Sequence, residues 1–189
     1  MSVRSVLGDT YRGALPTLLV SAVGGLLAGT VLSSMEADLA AVDGLLVLVP
    51  AFLAIRGSVY GSLGSRLSSA LHQGLVDPVF EPDRRVGVAA LAALLNGVCA
   101  TLFASVLVVV VLPALGRPVA GLDTLVVIAL LGGVLSGVAL IAVVVTVVFV
   151  GFRRGMNPDD LVGPTVTTAG DVFGMLALLA ATRVALAVT

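Results

Sequence analysis

One carboxylate and two hydroxyl groups near the end of the chain have the spacing of a metal site. Thr167, Thr168 and Asp171 share one face of a helix, because residues three and four apart are neighbours on a helix surface. Their oxygen atoms are the ligands that hard divalent cations such as Mg²⁺, Ca²⁺ and Mn²⁺ prefer. For either threonine alone, the alternative is a hydrogen bond back to a carbonyl of the preceding turn. As a cluster, the three residues predict a cation site with Asp171 as its charged ligand.

A second polar tract runs from Arg56 to Ser69 and consists mostly of glycine and serine. Such small side chains let another helix or an ion approach the backbone closely. The depth of Arg56 depends on where its helix begins. Arg56 lies about 27 Å along a helix that begins at Asp38, and about 17 Å along one that begins at Leu45. The sequence alone leaves both positions open, one near the membrane surface and one close to its centre.

Both tracts belong to a chain that is too apolar to fold in water. Hydrophobic residues make up 59% of the sequence and charged residues only 11%, whereas soluble proteins carry about 25% charged residues. The apolar runs are continuous rather than alternating, and helices satisfy their own backbone hydrogen bonds in lipid. The sequence therefore predicts an all-α, multi-pass protein of the cell membrane, surrounded by the lipid bilayer. Its net charge of −1 does not indicate a nucleic-acid partner.

Polar connections divide the chain into five apolar runs. A transmembrane helix needs about 20 residues, so the chain is long enough for five spans with short connections. The predicted spans are residues 14–32, 45–71, 86–112, 124–152 and 161–188. Residues 1–13 form a short segment before the first span, and residues 14–189 form one five-helix domain.

The arginines are concentrated in alternate connections. They precede the first span, follow the second and follow the fourth, whereas the connection after the first span has none and the one after the third has only Arg117. Connections rich in lysine and arginine stay in the cytoplasm. The pattern therefore predicts a cytoplasmic N-terminus and a C-terminus outside.

Asp171 is the acidic residue that every plausible helix boundary leaves inside the membrane. If the fifth span begins between Pro158 and Gly163, Asp171 lies about 12–20 Å along it, within a hydrocarbon layer of about 30 Å. A carboxylate at that depth usually faces a water-filled cavity or a partner charge. The alternative to a cation site is therefore an ion pair, for which Arg56 is the obvious candidate.

Two single polar residues, Asn96 and Ser136, interrupt otherwise apolar helices. Hydrogen bonds between helices are the usual role of such residues in membranes. We therefore expect both side chains to bond to neighbouring helices rather than to line a pore.

Two motifs resemble the transmembrane domain of the MgtE family of magnesium transporters and channels, which includes eukaryotic solute carriers. The first is Leu48-Val49-Pro50 followed by Gly57-Ser58, and the tract from Gly61 to Ser69 is similar to the solute-carrier branch in particular. The second runs from Gly155-Met156-Asn157-Pro158 to Thr167-Thr168 and Asp171. Ser58 stands where the family pattern has asparagine, and Asn157 where it has aspartate.

The resemblance implies roles for particular residues. Asp171 matches the pore aspartate, and Thr167 and Thr168 are expected beside it as metal ligands. Asp159 and Asp160 are expected at the cytoplasmic mouth of the pore. The residues expected to line the pore are Gly57, Ser58, Gly61, Pro164 and Gly174. In such proteins the pore lies at the interface of a dimer, which agrees with the argument that one five-helix unit has too few walls to enclose a pathway.

The expected function is that of a Mg²⁺ channel or facilitative transporter. Mg²⁺ would be the transported ion, and the chain would form a homodimer or a heterodimer with a paralogous half. Alternatives of the same fold are a proton- or sodium-coupled exporter and a non-conducting partner subunit. An enzyme such as a phosphatidyl-alcohol transferase needs several aspartates at fixed helical spacing, and Asp159-Asp160 does not supply that set. We therefore expect no enzymatic activity.

The family's cytoplasmic N-domain and its paired CBS sensor domains have no counterpart among the 189 residues, of which about 13 precede the first span. We therefore expect this chain to lack the shut-off by cytosolic Mg²⁺ that those domains impose.

Overall fold

The computed structural model describes the backbone of residues 3–188, and the side chains of residues 15, 18–158 and 161–188. This part of the chain is all-helical and contains no strand. The six helices are α1 (Val3–Ser34), α2 (Glu36–Ala41), α3 (Leu45–His72), α4 (Arg84–Ala114), α5 (Leu122–Arg153) and α6 (Pro158–Val188). The predicted all-α class is confirmed.

Four helices are long and apolar enough to cross a membrane within the described residues. They are Leu45–His72, Arg84–Ala114, Leu122–Arg153 and, within α6, Leu161–Val188. Of α1, the apolar stretch within the continuously described side chains is Leu18–Ser34. Every predicted span is thus helical, while the count of five remains a prediction. Helix α1 begins at Val3, so the backbone of residues 3–13 is already helical. The division of the chain into residues 1–13 and 14–189 remains a prediction, since the side chains of residues 1–14 lie outside the described set.

The connection between α1 and α3 contains the short helix α2, which the sequence did not predict. Gly44 precedes α3 with a φ of 93°, a conformation that favours glycine. Helix α3 therefore begins at Leu45, which puts Arg56 about 17 Å along it and close to the centre of the membrane. The alternative start at Asp38 is wrong, since Asp38 lies in α2 and forms a salt bridge of 3.7 Å with Arg183 of α6.

Helix α6 packs against α1, α3 and α5, and α3 packs in turn against α4 and α5. Close approaches fix an antiparallel register between α3 and α6. Gly64 lies against Val162, and Gly174 lies against Leu53 at the other end of the contact. This register brings the two polar tracts of the sequence to the same depth in the membrane.

The guanidinium of Arg56 is fully buried and joins three helices. Its Nη1 donates to the Gly133 carbonyl at 3.2 Å and to the Ser136 hydroxyl at 2.7 Å, both on α5. Its Nη2 donates to the Gly97 carbonyl at 3.0 Å and to the Thr101 hydroxyl, both on α4. The predicted interhelical role of Ser136 is therefore confirmed, with Arg56 as its partner.

No carboxylate of the described residues lies within salt-bridge distance of Arg56. Its guanidinium lies 4.3 Å from the centre of the Phe52 ring, which favours a cation over its face. The centre of the Tyr60 ring lies 6.0 Å away, at the limit of such a contact. Dipoles of neutral oxygens and two aromatic rings therefore stabilise a charge that a membrane protein normally pairs with an anion.

Substitution of Gly64 by alanine is expected to destabilise the fold by about 1–3 kcal/mol. A methyl group at this position would overlap the stiff, branched side chain of Val162. Gly61, one turn earlier, has no atom within 4 Å of the position of a Cβ. Gly61→Ala is thus a matched control that should unfold at the wild-type temperature in detergent. Equal unfolding temperatures for the two variants would contradict this packing.

Substitution of Arg56 by alanine is expected to cost about 3 kcal/mol, because it removes hydrogen bonds to two helices and opens a cavity. Arg66 lies on the same helix but is exposed, so Arg66→Ala is the control and should leave stability unchanged. Thermal unfolding of the purified variants compares them. An Arg56→Ala protein as stable as the control would show that the buried guanidinium does not hold α3 to α4 and α5.

Candidate cation site

Asp171 lies near the middle of α6, about 20 Å from its first residue, Pro158. Its side chain is half-buried. The preceding residue, Gly170, faces α3, where the Cβ of Arg56 would lie 3.7 Å from an added methyl group. Asp171 is therefore level with the part of α3 that carries Gly57.

The residues around Asp171 face two different helices. Thr168 faces α1, where its hydroxyl donates to the Ser21 hydroxyl at 3.2 Å. Gly174 faces α3, and a methyl group there would lie 2.9 Å from Leu53. Because each residue turns an α-helix by about 100°, Asp171 falls between these two sides. Its carboxylate is thus directed to the boundary between the α1 contact and the α3 contact.

Asp171 has no hydrogen-bond donor and no cation within salt-bridge distance among the described residues. The predicted alternative, an ion pair with Arg56, is wrong, because the Arg56 guanidinium extends away from α6 into the interface of α4 and α5. An unpaired carboxylate at this depth is costly, and such groups are usually functional.

The three predicted ligands do not all face the same space, because Thr168 packs against α1. Thr167 is exposed on the same open side as Asp171, and its hydroxyl donates to the Gly163 carbonyl at 2.9 Å. This is the back-bonding alternative considered above, and it leaves lone pairs on the hydroxyl oxygen. Thr168 is instead engaged with α1, so a ligand role for it would require its hydroxyl to serve both Ser21 and the ion.

Helix α3 presents an open polar face on its other side. No atom lies within 4 Å of the Cβ positions of Gly57 and Gly61, and Ser58 is exposed. A cavity of 250 Å³ lies between this face and α4, lined in part by Ser58, Ser62 and Asn96. These exposed polar groups lie at membrane depth, where lipid does not solvate them.

The hydrogen bond between helices that was predicted for Asn96 is not formed within the described part of the chain. The asparagine side chain is exposed and forms no hydrogen bond with another described residue, so the predicted interhelical bond is absent. The reason is geometric, since its side chain points into the cavity that α3 borders rather than into a helix contact. The direction of this side chain could not be predicted from the sequence, because Asn96 is a lone polar residue in an apolar run.

The remaining predicted residues differ in position. Pro164 is half-buried near the start of α6. Gly174 is buried against Phe52 and Leu53, so within one copy it serves the contact of α3 with α6. The side chains of Asp159 and Asp160 lie outside the described residues.

One copy of the chain supplies few metal ligands. Among the described residues, no group of three His, Cys, Asp or Glu side chains lies together. Mg²⁺ prefers six oxygen ligands and loses its water reluctantly. A divalent cation beside Asp171 would therefore keep most of its water or take further ligands from a second copy.

Comparison with known proteins extends these observations. The family model MgtE, described as a divalent cation transporter, matches residues 49–181. Solute carrier family 41 member 3 of Rattus norvegicus is 29% identical over 186 residues, which are 93% of this chain and 39% of that protein. The chain thus spans about two fifths of the length of this curated relative.

The match includes both polar tracts, the buried Arg56 and the unpaired Asp171. The proteins of this family are transporters rather than enzymes, and the long apolar helices are those of a multi-pass membrane protein. From its sequence, its helices and this match over most of its length, the chain belongs to the MgtE family of divalent cation transporters.

Proposed function

We propose that this chain is a Mg²⁺ channel or facilitative transporter whose pathway lies between two copies, along α3 and α6. The observation that carries the proposal is Asp171, a half-buried carboxylate near mid-membrane with no partner among the described residues. A transported cation is the partner that would balance its charge. The open glycines of α3 support the same pathway, because they lie at the same depth and admit a large hydrated ion.

A second copy of the chain would supply polar partners for the exposed face of α3 and a second carboxylate for the ion. The exposed face of α3 carries Ser58 and Ser62, which need a polar partner or water at membrane depth. Two copies related by an axis along the membrane normal would bring two Asp171 carboxylates to a common pathway. At a separation of about 8 Å and an effective dielectric constant of 20, the carboxylates repel by about 2 kcal/mol. A divalent cation between them would relieve that repulsion.

The ion is expected to remain largely hydrated. Two carboxylates and the Thr167 hydroxyls cannot fill six positions around each ion, and Mg²⁺ dehydrates reluctantly. The membrane potential would supply about 4.6 kcal/mol per 100 mV for an ion of charge +2. No coupled ion is required for inward movement down that gradient.

The proposed orientation follows the arginines. Arg66, Arg84, Arg85, Arg153 and Arg154 lie at one end of the helix bundle, where α3 and α5 end and α4 begins. Only Arg117 and Arg183 lie towards the other end among the described side chains. The arginine-rich end would face the cytoplasm, which leaves the N-terminus inside and the C-terminus outside.

Substitution of Asp171 by asparagine tests the proposed ion site. Asparagine keeps the shape of the side chain and removes its charge. The attraction between Mg²⁺ and one carboxylate about 5 Å away is about 7 kcal/mol at an effective dielectric constant of 20, so Mg²⁺ flux into liposomes should fall at least about 100-fold. An indicator dye inside the vesicles measures that flux, with Ca²⁺ and Mn²⁺ compared in parallel.

Asp123→Asn is the matched control, because Asp123 is an exposed acid in the first turn of α5 and should leave the flux unchanged. Asp160→Asn, at the predicted cytoplasmic mouth, should reduce the flux without abolishing it. Normal flux through Asp171→Asn would refute Asp171 as the ion site. Flux that requires a proton or sodium gradient would instead identify a coupled exporter.

Cysteine cross-linking tests the proposed dimer. Thr167→Cys, in a Cys99→Ala background, places one exposed thiol on the open side of α6. Mild oxidation in membranes should convert most of this protein to a disulfide-linked dimer. Leu135→Cys, exposed on α5, which does not line the proposed pathway, should stay monomeric and is the control. A Thr167→Cys protein that stays monomeric while it transports Mg²⁺ would contradict the proposed pathway.

A further inference from the structure

Three arginines share one cavity at the arginine-rich end of the molecule. Arg66 of α3 and Arg84 and Arg85 of α4 line an open cavity of 680 Å³. No described carboxylate forms a salt bridge with any of the three. The one acid in the cavity wall, Asp83, is engaged otherwise, because its Oδ1 accepts hydrogen bonds from the backbone amides of Arg85 and Val86. These backbone hydrogen bonds leave the charge of Asp83 in place, so three arginines face one carboxylate and the cavity has an excess of positive charge.

Of the three arginine side chains, only that of Arg85 forms a hydrogen bond within the described residues. Arg85 donates from Nη1 to the Leu75 carbonyl of the loop between α3 and α4. Arg66 lies six residues before the end of α3 at His72, or about 9 Å deeper than that end. A long side chain at this depth extends its charge towards the membrane surface. The three guanidinium groups thus lie at the level where the charged groups of lipids are found.

The remaining wall of the cavity is apolar and continues towards the membrane centre. It consists of Val88, Ala89 and Ala92 on one face of α4. Ala89, Ala92 and Arg66 also line the cavity between α3 and α4 that contains Ser62, so the two spaces adjoin. An occupant of the arginine cavity would meet positive charge at one end and the small apolar side chains of α4 at the other, beyond which lies the polar cavity of Ser58, Ser62 and Asn96.

We propose that this cavity binds an anionic phospholipid. The phosphate would accept hydrogen bonds from Arg66 and Arg84, since planar guanidinium groups match phosphate oxygens. The glycerol and the first part of an acyl chain would contact Ala89 and Ala92. Basic pockets between transmembrane helices on the cytoplasmic side suit such lipids, and the proposed orientation puts this end there. The inference does not depend on Mg²⁺ as the transported ion.

Lipid retention by the full chain tests the proposal. The purified protein is equilibrated in mixed micelles with equal amounts of phosphatidylglycerol and phosphatidylcholine, and native mass spectrometry counts the bound lipids. The wild type should retain phosphatidylglycerol in preference to phosphatidylcholine. Each arginine near a lipid phosphate strengthens binding about fivefold, so Arg66→Gln/Arg84→Gln should weaken retention about 25-fold.

Arg153→Gln/Arg154→Gln is the matched control, because it removes the same charge at the same end of the molecule but outside the cavity. Its retention should equal that of the wild type. Ala92→Phe fills the apolar wall without a change of charge and should also reduce retention, which general attraction to anionic lipid does not predict. Thermal unfolding confirms that each variant is folded.

Three results would overturn the proposal. One is an equal loss of phosphatidylglycerol in the arginine variant and its control, which would indicate general charge attraction only. Another is release of the lipid by soluble glycerol phosphate, which would indicate a site for free phosphate. The last is a cysteine at position 92 that links two copies, which would show that a second protein helix occupies the cavity.

Discussion

The buried guanidinium of Arg56 determines how the other helices can be arranged. Its hydrogen bonds to Gly97 and Thr101 on α4 and to Gly133 and Ser136 on α5 fix the rotation of α3 about its own axis. Because that side of α3 is packed against α4 and α5, the opposite side, with Gly57, Ser58, Gly61 and Ser62, faces outward. The open face is thus a consequence of the buried one, since a charge inside a membrane tolerates few alternative positions.

The hydrogen bonds of Arg56 also keep its charge apart from the carboxylate of Asp171. Arg56 and Asp171 lie on helices in contact and at similar depth, which would suit an ion pair. The neutral oxygens of α4 and α5 accept hydrogen bonds from both Nη atoms of the arginine instead. The carboxylate therefore has no cation partner among the described residues. Glycines at 170 and 174 let α6 approach α3 closely without any polar contact between the two charged side chains. The protein therefore keeps one carboxylate available at a depth where an available charge is rare.

Much of this arrangement could be predicted from the sequence. Continuous apolar runs predicted the ends of α3 to α6 to within a few residues, because composition alone decides what can lie in lipid. Helix α1 begins well before the predicted start of the first span, and α2 was not predicted. The carboxylate of Asp171 could be identified for the same reason. The direction of single polar side chains could not, because periodicity is lost in helices that are apolar all round. Asn96 and Ser136 are alike in sequence context, yet one faces a cavity and the other binds Arg56. The division of Thr167 from Thr168 depends on the contact of α1 with α6, a tertiary feature.

The location of the acceptors for Arg56 also bears on how the protein enters the membrane. An arginine at the centre of a helix costs roughly 2.5–3.5 kcal/mol during insertion. Every hydrogen-bond acceptor of Arg56 belongs to α4 or α5, which are synthesised after α3. Stable integration of α3 therefore depends on sequence that leaves the ribosome later, and α3, α4 and α5 should become committed to the bilayer as a group. We therefore expect membrane insertion to be cooperative over these three helices, although each is long and apolar enough to cross a membrane alone.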